Sequence, residues 1–228
     1  MEQTKLITEH IEDIRKLFIK IVIPILILFF ILFILAEKII NFYINYLSIS
    51  FNKIISITPM ESFKTYGLVS LLLTILIIFP FIIYSVYNYV KDIVPQNIKI
   101  KKYIIISYLL SIIGFVFGSS VFSKLILLNL FNNYSINPNW GIYSVISLVI
   151  GFGFALALVS QITLLIPFFV RNNVINIKYL KDNRRIVVFC VAIFSAIITP
   201  PDLYSMMFMM IPVYGSYELG ILFSRRKK

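Results

Sequence analysis

Six apolar runs, at about 17–36, 68–90, 103–130, 142–170, 186–199 and 203–223, take up most of the 228 residues. A helix needs roughly 20 mainly apolar residues to cross a bilayer. The runs therefore predict an all-α, polytopic membrane protein with six transmembrane helices. They leave no room for a separate soluble domain, so residues 1–228 are read as a single integral membrane domain. A hydrophobic content of 60% against 14% charged residues excludes an ordinary soluble domain.

The fifth run is the shortest. It ends at Thr199-Pro200-Pro201-Asp202, where two prolines remove two backbone donors and force the preceding residue out of helical geometry. A tight turn is expected there, joining two short final helices, with an acid at the turn. Asp202 is a good N-cap residue for the last helix, and Ser205 is a candidate hydrogen-bond partner. A span this short would thin the bilayer around it.

Charge gives the orientation. Of 21 basic residues, seventeen fall before the first run or in its first turn, between the second and third, between the fourth and fifth, or after the sixth. The opposite side holds only Lys38, Lys53, Lys64 and Lys124. Positive charge stays on the side where insertion began, so both termini are expected on the cytoplasmic, matrix or stromal side. Because the net charge of +11 sits in these short loops, no nucleic-acid partner is expected. No basic segment with a small-residue cleavage site opens the chain, so no removable signal peptide is expected.

Residues 6–20 place Ile7, Ile11, Ile14 and Phe18 on one helical face, with Glu9, Glu12, Asp13, Lys16 and Lys20 on the other. An interfacial amphipathic helix running into the first span follows, either as a plain surface anchor or as a binding element. Its acids would repel anionic lipid headgroups and attract a cationic peptide. Residues 37–67 are expected to form short aromatic helices on the outer membrane surface, with Trp140 as an anchor in the second outer loop. Pro24, Pro80 and Pro167 lie in or near apolar runs and predict kinks.

Chemistry-bearing residues are few. Cys190, the only cysteine, reads as a small buried hydrophobe, and the lone His10 excludes a multi-histidine metal site. Neither a phosphate-binding glycine loop nor paired catalytic acids can be found, so no enzyme, cofactor or metal is expected and binding or conduction is the better reading. Polar groups within the apolar runs are functional candidates because they are costly there. They are Gln161, with Thr163 beside it, and Glu218, which would otherwise be an acid snorkelling to the interface.

Six short motifs in order resemble the TatC family, the multi-spanning receptor subunit of the twin-arginine protein translocase. They are His10-Ile11-Glu12-Asp13-Ile14-Arg15, Pro59-Met60-Glu61-Ser62-Phe63, and Pro80-Phe81-Ile82-Ile83-Tyr84 followed by Val86-Tyr87. Thr199-Pro200-Pro201-Asp202, Ser205 with Pro212, and Tyr217-Glu218 complete them. The resemblance covers nearly the whole chain. It implies a receptor for signal peptides bearing two adjacent arginines, which helps folded proteins across a membrane on the proton gradient. It also implies single-span TatA- or TatB-like partners, precursor proteins with twin-arginine signal peptides, contact with membrane lipid, and assembly as a homo-oligomer.

The site residues carry over by motif. Asp13 stands at the family's signal-binding acid, with Glu12, Arg15 and His10 around it. The first cytoplasmic loop has Ile98 where the family usually has a glutamate, leaving Gln96 and Asn97 as neutral acceptors. Counting back from Thr199 puts Gln161 at an intramembrane glutamate position and Thr163 at a proline, so these two and Glu218 would meet a partner helix. Pro59, Glu61, Phe63, Thr199, Pro200, Pro201 and Asp202 would be structural turn residues. The alternative is a small-solute or ion carrier, or a membrane subunit of a respiratory complex. The expected location is an energy-transducing membrane. Heavy use of Ile, Asn, Lys, Tyr and Phe fits an AT-rich gene, so this would be a mitochondrial inner membrane or thylakoid if organelle-encoded, and otherwise a bacterial inner membrane.

Overall fold

The fold is given by a computed structural model, which describes residues 2–46, 54–55, 58–90, 100–127, 140–171, 174–199 and 202–225. Helices α1 (Glu2–Tyr46), α2 (Pro59–Val90) and α3 (Ile100–Val116) come first. A π-helical turn, Phe117–Phe122, carries α3 on to Leu127. After it come α4 (Ile142–Ser160), α5 (Ile162–Arg171), the short α6 (Ile177–Asp182), α7 (Arg184–Ile198) and α8 (Leu203–Arg225). Two residues of β1 (Ile54–Ile55) pair in parallel with β2 (Trp140–Gly141), stitching together the connections that precede α2 and α4. Apart from this stitch and the turns, the described residues form an all-helical membrane bundle.

Among the described residues, five stretches are long and apolar enough to cross a membrane: Arg15–Tyr46, Pro59–Ser85, Lys102–Leu127, Ile142–Val170 and Leu203–Ser224. The 15 residues of α7 rise only ~22 Å at 1.5 Å each, short of the ~30 Å hydrocarbon core.

Only α7 of the last two helices is short, because the 23 residues of α8 are enough to cross; one boundary also differs from the sequence expectation. Much of the 37–67 segment belongs to two long helices and not to short surface ones. Ala36, Ile40 and Ile44 recur every four residues and are buried, so packing carries α1 on to Tyr46. Pro59, with its fixed φ, opens α2 directly behind Thr58, whose hydroxyl accepts the Glu61 amide at 3.3 Å.

The bundle is built around α4. Half of its most apolar window is buried, against 6% for α1, which lies at the edge against α2. One face of α3, Ser107, Ser111, Gly114 and Gly118, carries only small residues and lets α4 approach closely. A methyl group built on Gly114 would sit 2.6 Å from the Leu156 carbonyl oxygen, and one on Gly118 would sit 2.5 Å from that of Phe152. In the π-helical turn the Ser123 amide reaches back five residues to the Gly118 carbonyl. There Ser119 receives the Tyr43 hydroxyl of α1 at 3.2 Å.

Cys190 corrects another expectation: it is exposed on α7. Hydrocarbon is the solvent of such a bundle, so an apolar residue gains little by facing inward. Ile34 and Ile197, 80% and 77% exposed, follow the same rule.

Candidate functional site

Three polar clusters organise the bundle, one at each end and one within it. At the end where α2 and α4 begin, the N-cap of α4 is Gly141, which offers no side chain to the helix's free amides. Glu61 of α2 supplies the acceptor from outside, taking the Tyr143 amide on Oε1 at 3.2 Å. A carboxylate there also faces the positive end of the α4 dipole. A methyl group on Gly141 would meet that same oxygen, so the Glu61 side chain would have to shift to admit one. Phe63, two residues on, stacks edge-to-face on Phe33 of α1 with centroids 5.5 Å apart.

At the same end, the backbone of Thr199 is extended (φ −90°, ψ 156°), as a residue before proline must be, and its hydroxyl returns to the Ser195 carbonyl at 2.8 Å. Asp202 caps α8: Oδ1 accepts the Ser205 amide at 2.7 Å and Oδ2 the Ser205 hydroxyl at 2.6 Å. Pro200 and Pro201 lie outside the described residues.

Within the bundle, Gln161 forms the turn between α4 and α5, and its amide reaches across to α3. Its Nε2 donates to Ser111 Oγ at 2.6 Å and to the Ser107 carbonyl at 3.2 Å, while its Oε1 accepts the Ser107 hydroxyl. An amide can do this because it both donates and accepts. Thr163, two residues on, donates to the Ser216 carbonyl of α8 at 3.1 Å. Together these two tie the α4–α5 turn to helices on both sides.

At the opposite end, Glu218 is not a lone snorkelling acid. Its Oε2 accepts Arg184 Nη2 at 2.7 Å and its Oε1 accepts the Tyr214 hydroxyl at 2.8 Å. Tyr217 beside it donates to the Leu180 carbonyl of α6 at 2.6 Å. The start of α7, α6 and the last turns of α8 are thus held together, and the short α7 is tethered at its start by the Glu218 carboxylate of α8.

Among the described residues, those expected to bind a signal peptide are not gathered into a pocket. Glu12 and Arg15 are exposed on α1, and Glu12 approaches Lys16 at 4.0 Å on the next turn. The side chains of Asp13 and His10, and all of Gln96 and Asn97, lie outside the described residues. Among the described residues, no group of three metal-ligating side chains occurs. Arg184, Tyr214, Ser107 and Ser111 belong to these clusters although sequence reasoning did not single them out. The serines had a signal, four residues apart on the small-residue face of α3, but Arg184 read only as a loop charge.

Comparison with known proteins gives one answer. The family described as Sec-independent protein translocase protein (TatC) matches residues 9–212. The chain is 26% identical over 222 residues to the TatC protein of Carboxydothermus hydrogenoformans, covering 95% of this chain and 91% of that one. It is 27% identical over 173 residues to that of Listeria innocua, covering 72% and 68% respectively. In three dimensions it is similar to the crystal structure of the twin-arginine translocase receptor TatC, with a TM-score of 0.81 at 21% identity over 95% of this chain and 98% of that one.

Proposed function

Since this chain belongs to the TatC family of Sec-independent protein translocase proteins, we propose that it is the receptor and core subunit of a twin-arginine translocase. In this reading it binds signal peptides and helps folded proteins cross a membrane on the proton gradient. The family is one of translocase components and not of enzymes, so the activity is binding and conduction.

The observation that supports the receptor role is the N-terminal part of α1. A single helix runs from Glu2 into the membrane-length stretch starting at Arg15, and its exposed face bears Glu12. Asp13 adjoins it in sequence. An arginine pair presents two planar forks, and carboxylates at a membrane interface take such forks in bidentate hydrogen bonds. His10 and Arg15 flank the acids, and Gln96 and Asn97 add neutral acceptors from the loop after α2. Orientation follows from the basic loops: both termini and the Glu218 end face the cytoplasm or its organellar equivalent, and the Glu61 end faces away.

TatA- or TatB-like single-span proteins and further copies of this chain are the expected partners. Gln161 and Glu218 are where a partner's helix would meet polar groups, because both stay partly exposed while bonded within the bundle; Thr163, expected with them, is buried against α8. The location is an energy-transducing membrane. Co-purification tests the whole reading: tagged chain in mild detergent should recover small single-span proteins together with precursors bearing arginine pairs. Recovery of neither, alongside saturable binding of a small solute, would replace the translocase with a carrier.

A further inference from the structure

Hydrogen bonding in the cluster around Gln161 is lopsided. Its polar hydrogens are the two of the Gln161 amide and one on each hydroxyl of Ser107, Ser111 and Ser160. All are committed inside the bundle. The Ser107 hydroxyl goes to Gln161 Oε1, that of Ser111 to the Ser107 carbonyl at 3.0 Å and that of Ser160 to the Ala157 carbonyl at 2.6 Å. The two amide hydrogens have more acceptors than they can use. Ser111 Oγ stands 2.6 Å from Nε2, the Ser107 carbonyl 3.2 Å, Ser160 Oγ 3.3 Å and the Ala157 carbonyl 3.4 Å. Acceptor capacity is left over. Gln161 Oε1 and Ser160 Oγ each take one donor, and each keeps a lone pair that no donor among the described residues reaches. Ser107 and Ser111 are buried, whereas Ser160 and Gln161 stay partly exposed. The open members of the cluster thus present acceptors and no donor.

Building on Gln161 as the partner contact proposed above, we propose that this site selects a partner helix carrying a side-chain hydrogen-bond donor, such as an amide or a hydroxyl, and discriminates against side chains that only accept. Docking on the partner's backbone is closed off. Thr163 can hold a neighbouring helix by a carbonyl, that of Ser216 in α8, because its hydroxyl has a hydrogen to give. Gln161 and Ser160 have none, and freeing one would break a bond within the bundle. The partner's own amides are bonded within its helix. The new bond therefore has to come from a partner side chain. A glutamine or serine supplies a hydrogen for the waiting lone pairs, whereas an ionised carboxylate would set its own acceptors against them. Burying unpaired acceptors against each other in an apolar interior is costly.

Synthetic single-span peptides test this with the full chain in lipid bilayers, by energy transfer to a label at the C-terminus of the chain. Each peptide is a leucine-rich host, dilute in lipid, with one guest residue scanned along its apolar core. The guests are glutamine, the γ-methyl ester of glutamate, which keeps the carbonyl oxygen and loses both amide hydrogens, and leucine. At the best position the glutamine peptide should bind about fivefold more tightly than the ester and leucine peptides, which should match each other. That preference should vanish with Gln161→Leu. A photocrosslinker beside the guest should mark the Gln161 region of wild type, which locates the contact even if the variant fails to fold. Ester and glutamine peptides binding equally, both above leucine, would overturn the donor requirement and leave Gln161 as a partner site. Equal binding of all three would remove the partner site and the donor requirement with it.

Discussion

Asp202 offers the clearest single-residue test. Its carboxylate makes two short bonds to Ser205, one to the backbone and one to the hydroxyl, the geometry of a helix cap. Asparagine caps almost as well, so Asp202→Asn should change thermal stability in detergent little, whereas Asp202→Ala should cost about 1 kcal/mol. Transport that survives the asparagine and fails only with the alanine would assign the residue to the turn and give its charge no part in translocation. Glu218 and Arg184 differ in kind, because they compensate each other's charge while only partly exposed. Arg184→Met alone should cost on the order of 2 kcal/mol, between the about 0–1 of exposed pairs and about 3–5 of buried ones. Adding Glu218→Gln should return part of that loss. A double-mutant cycle by thermal unfolding reads the coupling, and strictly additive losses would mean the pair does not tether α7 to α8.

Between elements, the close approach of α3 to α4 is the contact on which the bundle depends. Gly118→Leu would drive a side chain into the Phe152 carbonyl, a group that moves only with its helix. Overpacking of this kind costs about 1–3 kcal/mol. The same substitution at Gly67, where an added methyl meets nothing, should be far milder. Comparing the two melts separates the packing effect from the general effect of replacing glycine in a helix. Gln161 belongs to the same interface, since its amide bonds Ser107 and Ser111 of α3. Gln161→Leu should therefore cost about 1 kcal/mol of bundle stability, the usual worth of hydrogen bonds between membrane helices. If it also reduces recovery of single-span partners while precursor crosslinking is unchanged, the partner-helix role stands; unchanged recovery would confine Gln161 to packing.

For the whole molecule, the sequence carried the architecture well because membrane folding rests on two strong signals, run length and proline. The double proline marks the end of α7 within a residue, and Asp202 opens α8 as its cap. The aromatic, amphipathic stretch after residue 36 misled, because Ile40 and Ile44 look interfacial in sequence but are buried in the bundle on an extended α1. Partners far apart in the chain were illegible. Glu218 and Arg184 stand 34 residues apart, and Gln161 and Ser111 stand 50 apart, so each was visible only as an isolated polar group. Cys190 shows a third limit: apolarity predicts burial only where water is the solvent. The central claim is that the N-terminal acids of α1 receive an arginine pair. Site-specific crosslinking of a twin-arginine precursor to wild type, Asp13→Ala and Glu12→Ala measures it directly. The account predicts that the Asp13 variant loses most of its crosslinking, the Glu12 variant loses less, and a precursor with both arginines changed to lysine crosslinks weakly to all three. Undiminished crosslinking in the Asp13 variant would contradict it.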